Sequence, residues 1–404
     1  MIKFRKKDIF EMMFAFAIVL NGQSMWSKML NVQGWFSNIL ILVLAFSVLG
    51  CVRTSREREE RLQVSIFKLM ILGVYLAMYV FLKPSNIKEL FKLYLIILLI
   101  SWFIFRTKDI SGVLEKYKNM VILIAAFSLF FWIFGSVFSI VKPTGQIYST
   151  WTGTNSGILV NSYCNIYFQF QRINILSLNG YRNIAFWCEA PMAAFHFSFA
   201  FLLEIFNKKN LGKRNIIILV LAILSTFSMT GYVVIFFGIV FKYFVEETKQ
   251  SLRELIKILA IPIVIIIAGC VLGYIYKLKA FSGAGLARLN DFAIGYQVWK
   301  KNFWFGVGYG NYDEIKNMMP LWRSTNTGFS NAITLILAYG GLYWGVMYVY
   351  SFIRGEIISL KKKEMYKFSI ITIFMIIFCI TNIPYIYLTL LIVLASLEGD
   401  TKFV

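Results

Sequence analysis

The sequence predicts an all-α, multi-spanning membrane protein with about twelve transmembrane helices in one integral membrane domain, residues 1–404. Three observations predict it. Of the 404 residues 59% are hydrophobic and only 15% charged, with a mean hydropathy of +0.69, whereas soluble domains run at roughly half apolar and a quarter charged. Apolar runs able to cross ~30 Å of hydrocarbon recur along the chain. Lys and Arg fall in short clusters between alternate runs, the pattern of the positive-inside rule.

That clustering also decides what the formal net charge of +21 means. A nucleic-acid binder gathers its cations on one face or stripe. Here they are distributed between spans, so membrane lipid is an expected partner and nucleic acid is not. The 18% aromatic content, with 39 Phe and 22 Tyr, suits interfacial belts.

Taken in order, Lys3, Arg5, Lys6 and Lys7 set the N-terminus in the cytoplasm. No cleavable leader is expected, because no small-residue cleavage site follows the first apolar run. Helix one is expected over residues 9–20, with an external turn over 21–33, and helix two over 35–52 returns to a charged internal loop at 53–61. Helices three (64–82) and four (90–105) flank a turn containing Pro84, and 106–118 is basic and internal. Helix five (121–141) leads out, and helix six (184–206) leads back to a basic loop at 207–214. The run 216–244 is too long for one span and breaks near 225–231 into two shorter helices. Residues 246–257 are internal and helix nine covers 258–276. Helix ten (328–352) returns to the lysine-rich 354–367, and 368–397 splits at Asn382-Ile383-Pro384 into two short spans. Both termini are then cytoplasmic. For either pair of short spans a re-entrant hairpin gives the same pattern. No internal repeat is visible, which speaks against a transporter or flippase built from inverted repeats.

Two long segments remain outside, 142–183 and 277–327, and long ordered loops in compact proteins usually carry function. They hold cations that do not assist insertion: Arg172 and Arg182 in the first, and Lys277, Lys279, Arg288, Lys300, Lys301 and Arg323 in the second. Such cations meet either lipid headgroups or an anionic ligand. Arg182 opens the stretch Arg182-Asn183-Ile184-Ala185-Phe186-Trp187-Cys188-Glu189-Ala190-Pro191. Arg182, Glu189 and His196 recur at sevenfold spacing, hence on one face if helix six starts early. A carboxylate at that depth needs a partner or a water-filled cavity. It forms either an Arg–Glu pair that pins the loop or an anion clamp with a neighbouring base. His196 lies deeper and reads as a packing or hydrogen-bonding residue.

In the second loop Arg288-Leu289-Asn290-Asp291 precedes an aromatic run and Gly306-Val307-Gly308-Tyr309-Gly310-Asn311. No βαβ unit surrounds these glycines, so a nucleotide loop is a poor reading. Their alternation predicts a tight turn that approaches another element closely. Gly340-Gly341, within helix ten, predicts close helix packing. One His, with no C-x-x-C or H-E-x-x-H motif, leaves no metal site or cofactor to expect. Cys51, Cys270 and Cys379 lie in apolar runs as small hydrophobes. Cys164 and Cys188 fall near one external segment, which raises a disulfide as one reading.

Together these features resemble the bacterial O-antigen and capsular polysaccharide polymerase family (Wzy-type), with the O-antigen ligases close behind. The segment Arg182 to Pro191, with Phe186 and Glu189 in step, is similar to the family's Arg…Phe-x-x-Glu-x-Pro element. Arg288, the aromatic run and Gly306 to Asn311 resemble its Arg…Gly-x-Gly-x-Gly-Asn element, and Asn331 with Gly340 its His-Asn-x9-Gly element. Ser330 stands where ligases and many polymerases have His. The resemblance implies a GT-C-like, metal-independent membrane glycosyltransferase of the bacterial cytoplasmic membrane, its active site facing outward. Donor and acceptor would be oligosaccharide repeat units on undecaprenyl pyrophosphate, with a chain-length regulator protein as a further partner. Guanidinium groups suit a leaving pyrophosphate because they stay charged and bind its oxygens in a bidentate way. Arg182 and Arg288 are the expected clamp, with Arg323 third. Glu189 is the first choice of base and Asp291 the second. Gly308, Tyr309, Gly310, Asn311 and Asn331 complete the expected substrate-binding set.

Overall fold

The computed structural model describes residues 5–32, 34–55, 59–151, 157–175, 178–207, 212–245, 283–323, 328–329, 331–380 and 384–403. The expected helix nine, the expected internal loop at 246–257, and Lys277, Lys279, Cys270, Ser330, Asn382 and Ile383 lie outside these residues.

The described chain is mostly helical. Five helices are long and apolar enough to cross a membrane. These are α2 (Phe36–Thr54), α3 (Glu59–Leu82, through its part from Leu62), α4 (Ile87–Thr107), α5 (Ser111–Phe131, continued by a π-helical turn, Trp132–Val137) and the later helix Ala332–Lys361. They turn large apolar side chains outward: Leu42, Phe67, Val74 and Phe81 are 69%, 61%, 61% and 89% exposed. Exposure on this scale is what a lipid-solvated surface requires.

Around them stand α1 (Lys6–Asn21), α6 (Ala190–Ile205), α7 (Lys213–Ser225) and α8 (Met229–Val245). Then follow α9 (Gly283–Lys301), the short α10 (Tyr312–Lys316), α11 (Ala332–Lys361), α12 (Met365–Ile380) and α13 (Tyr387–Glu398). All of α6 but Pro191, and all of α13 but Leu397, is buried. A helix apolar on every side belongs inside a bundle. Accordingly α6 packs on α5, α7 and α8, and α13 on α4 and α11.

Helix ends gather at two poles. At one, Met25 N–H donates to the Phe186 carbonyl (2.7 Å), Asn86 N–H to Tyr309 (2.9 Å) and Cys188 N–H to Gln23 (3.0 Å). At the other, the buried Lys118–Glu204 pair closes to 2.7 Å, Lys68 meets Glu398 at 2.7 Å, and Lys367 Nζ donates to the Gly399 and Thr401 carbonyls. The segments expected outside meet at the first, here the loop pole, and the basic segments expected inside meet at the second.

The structure alters the expected all-α picture in the segment 142–183. Its described residues hold five strands: β1 (Gly145–Ser149), β2 (Ile158–Tyr163) and β3 (Tyr167–Gln169) form one antiparallel sheet, and β4 (Arg172–Ile175) and β5 (Leu178–Tyr181) a hairpin. The first sheet is tied to the α1–α2 connection, where Leu30 N–H donates to Tyr148 and Thr150 N–H to Lys28. Runs of three to six residues, with no apolar face of their own, read as loop until a neighbouring backbone pairs them.

Helix six is also shorter than expected, because it starts at Ala190 and Glu189 is its N-cap in an extended conformation (φ −151°). Arg182, Glu189 and His196 therefore share no helix face. The break near 225–231 is real: α7 ends at Ser225 and α8 starts at Met229.

Candidate functional site

Arg182 follows β5 directly, and its backbone N–H donates to the Gln171 carbonyl (2.8 Å). Its side chain crosses to the α7–α8 turn, where Nε donates to Thr226 O (2.8 Å) and Nη2 to Phe227 O (3.2 Å). A turn with Phe227 at φ +50° exposes carbonyls that no helix satisfies. Arg182 supplies the donors, and its Nη1 makes no bond among the described residues.

Glu189 lies within electrostatic reach of Arg182. As the N-cap of α6 it makes no side-chain capping bond, so both carboxylate oxygens stay available next to a helix N-terminus that favours negative charge. Burial pushes its carboxyl above the ordinary carboxylate range, against the opposing pull of Arg288 and then Arg182. Burial likewise lowers Arg182, to about 10, with Glu189 opposing and Arg288 adding to the shift. Arg182 is still cationic at neutral pH. Arg288, exposed on α9, forms no hydrogen bond or ion pair among the described residues. Arg182, in the segment before α6, and Arg288, on α9, thus both act electrostatically on Glu189, with no hydrogen bond or ion pair joining the three among the described residues. Tyr232, whose hydroxyl donates to Leu224 O (3.3 Å), lies near enough to act on Arg182. The sequence marked the helix break beside Tyr232 but gave no sign of its partner.

The glycine run is a lock. Val307 and Gly308 N–H groups donate to the Ala338 and Tyr339 carbonyls, while the Leu342 and Tyr343 N–H groups donate to Phe303 and Trp304. These bonds satisfy the groups freed where α11 breaks at Gly341 (φ +58°, ψ −155°). On its other side Gly308 (φ +97°) lies so close to the α3–α4 turn that a Cβ would fall 2.1 Å from Pro84 O. Asn311 Nδ2 donates to Pro84 O and Val307 O, and Tyr309 N–H to Ser85 Oγ. The expected close approach is therefore present, made by Gly308 and Asn311 to the Pro84 backbone and by Gly310 to the Asn86 side chain.

Three expected site residues are structural. Arg323 is fully buried and spends its guanidinium on Asp291 (2.8 Å), Ala287 O, Asn290 Oδ1 and Gly328 O. It holds α9 to the segment before α11 and has no face left for phosphate. Asp291, 1% exposed, is its counter-ion and is sealed from any substrate proton. Asn331 caps α11, accepting from Thr334 N–H and Oγ and donating to Cys379 O. A loop position hid the roles of Arg323 and Asp291, because a charge in a long loop reads as solvated. His196 is wholly buried, bonded through Nδ1 to Tyr117 Oη (2.8 Å) and stacked on Trp187, as a packing residue should be. Cys164 and Cys188 are separate thiols, one exposed and one buried.

Among the described residues no three His, Cys, Asp or Glu side chains cluster to hold a metal ion. No protein-family model matches the chain, and no curated protein matches it.

Proposed function

We propose that this chain is a membrane glycosyltransferase that polymerises lipid-pyrophosphate-linked oligosaccharide repeat units, the activity its motifs resemble. One observation carries the proposal: Arg182, from the first long loop, and Arg288, from α9, both act on Glu189 with cationic capacity unspent. Departure of undecaprenyl pyrophosphate from the anomeric carbon builds negative charge on the phosphate oxygen. Arg288 and the free Nη1 of Arg182 stabilise it as the C–O bond breaks. The acceptor hydroxyl attacks the same carbon, and the Glu189 carboxylate takes its proton. A carboxyl raised above its ordinary range is the better base near neutral pH.

In this reading the loop pole faces outward from a bacterial cytoplasmic membrane, both termini are cytoplasmic, and the spans number about twelve in a GT-C-like arrangement. Donor and acceptor are undecaprenyl-pyrophosphate-linked glycans, and a chain-length regulator is a further partner.

The test is a gel profile of surface polysaccharide from the native host carrying Arg288→Ala. Loss of the long ladder with single repeat units surviving supports a polymerase. Full-length polymer stranded on its lipid carrier points to a ligase. An unchanged ladder sinks the proposal and favours a transporter.

A further inference from the structure

One residue outside the proposed reaction centre is bonded to both of its halves. In the β4–β5 hairpin Arg172 stands opposite Tyr181. The next pair outward is therefore Gln171 opposite Arg182, joined by the Arg182 N–H donating to the Gln171 carbonyl (2.8 Å). The side chain of the same Gln171 turns the other way, and its Oε1 accepts from the Ala190 N–H (2.9 Å). Ala190 is the first residue of α6 and follows Glu189. We propose that Gln171 is a positioning residue for the transfer reaction: it caps α6 in place of Glu189 and leaves the Glu189 carboxylate free to take the acceptor's proton.

The donors at the start of α6 carry this assignment. The first turn of a helix presents N–H groups without intrahelical acceptors, and the N-cap side chain ordinarily meets one of them. Here the second helical residue is Pro191, which has no N–H. The Met192 and Ala193 N–H groups both donate to the Glu189 backbone carbonyl (3.1 Å each). Of residues 190–193 only Ala190 then needs a side-chain acceptor, and Gln171 supplies it. Without that acceptor the helix N-terminus would draw in the adjoining carboxylate. A carboxylate bound there is a weaker base, because hydrogen bonds to the ionised form hold its proton affinity down. A neutral amide satisfies the helix and adds no charge beside Arg182.

Gln171 is itself held in place. Trp132 Nε1 donates to Tyr181 O (2.7 Å). Asn183, wholly buried, donates its N–H to Ser225 O (3.0 Å) and its Nδ2 to Ser225 Oγ (2.9 Å) and Ser128 Oγ (3.2 Å). Thus α5 and α7 fix both neighbours of Arg182, and the hairpin register carries that order to Gln171. The connection 183–188 is neither helix nor strand, so the two Gln171 bonds tie its ends together. The charged groups acting on Glu189 are Arg288 and Arg182. Burial pushes the neighbouring Cys188 thiol up, which keeps it neutral where Glu189 titrates. The cap stands on these hydrogen bonds, while its service to catalysis rests on the proposed transfer reaction.

The experiment is a carboxyl titration of the full chain in lipid nanodiscs, read by NMR of ¹³C-labelled glutamate and assigned with Glu189→Gln. Gln171→Met keeps the length of the side chain and removes the acceptor. Gln171→Glu keeps an acceptor oxygen in either protonation state. In Gln171→Met the proton affinity of Glu189 is expected to fall about tenfold, the effect of one charge-assisted hydrogen bond. Gln171→Glu should show no fall. If Gln171→Met does not insert, Gln171→Asn, shorter by one methylene, carries the same expectation. An unchanged Glu189 titration in the variant without the acceptor overturns the inference, and so does an equal fall in Gln171→Glu. Transfer on the same samples tests the catalytic service: the acid limb of the rate should move with the titration, and kcat should fall about tenfold at unchanged KM. A limb that stays in place while the titration moves supports the cap and overturns its service to catalysis. The transferase proposal fails separately, through an unchanged polysaccharide ladder in Arg288→Ala.

Discussion

The Arg182 guanidinium reaches the Thr226 carbonyl at 2.8 Å, joining the end of the first long loop to the turn between α7 and α8. This contact explains why a span too long for one helix breaks where it does. The freed carbonyls of the turn face a fixed cation, which is held within electrostatic reach of Glu189.

Arg182 therefore has two duties, and substitutions separate them. Arg182→Lys keeps a charge but cannot serve Thr226 O and Phe227 O with the same fork. It is expected to lower stability by about 1–3 kcal/mol, the usual cost of leaving half-buried acceptors unpaired, and to cut transfer sharply. Arg182→Ala should lose both functions, with transfer falling below what the folded fraction explains. Thermal unfolding in nanodiscs alongside the ladder assay checks both. Transfer that merely tracks the folded fraction would reduce Arg182 to a structural pin.

Arg288 gives the cleaner test, because it forms no bond among the described residues. Arg288→Ala should leave stability within about 0.5 kcal/mol of wild type, as surface substitutions do. Loss of a transition-state cation typically costs roughly 10²–10³ in rate. Normal insertion and melting with a lost ladder is the expected pair of results. A loss of both would mean that Arg288 holds the fold.

Glu189 makes a prediction of opposite sign for stability and for rate. Its carboxyl is held above the ordinary value of 4.5, chiefly by burial. A proton bound more tightly in the folded state stabilises the fold below the unfolded pKa, and that contribution is lost as pH rises through the folded value. Wild type should thus lose stability from about pH 4.5 upward through the raised value. Glu189→Gln should lack this decline and melt higher above it. Transfer needs the ionised base, so the wild-type rate should rise over the same interval, and Glu189→Gln should slow it about 10²–10⁴-fold. A pH–rate profile with no acid limb in wild type would remove Glu189 as the base.

The sequence disclosed the five membrane-length helices, since long apolar runs and their basic flanks are local properties of the chain. The glycine alternation was legible for the same reason: only a close approach or a left-handed backbone needs it. Local signals do not extend to what meets across the fold. Nothing near Arg288 announces Arg182, and nothing near Arg323 announces that Asp291 will bury with it. Strands as short as Tyr167–Gln169 acquire their conformation from their neighbours and leave no period to read.

The Asp291–Arg323 pair supplies the last test, one that separates fold from chemistry. Arg323→Ala leaves a buried carboxylate uncompensated, which typically costs about 3–5 kcal/mol. Replacing both members with apolar residues of similar volume, Asp291→Leu with Arg323→Met, removes the charge that needs compensating and is often near neutral in comparable cases. The double variant should therefore recover much of the lost stability, less what the bonds to Ala287 O and Gly328 O contributed. If both residues only hold α9 beneath Arg288, the ladder should return with the fold. A double variant that melts like wild type yet makes no polymer would mean that Asp291 takes part in the reaction, and Glu189 would no longer stand as the sole base.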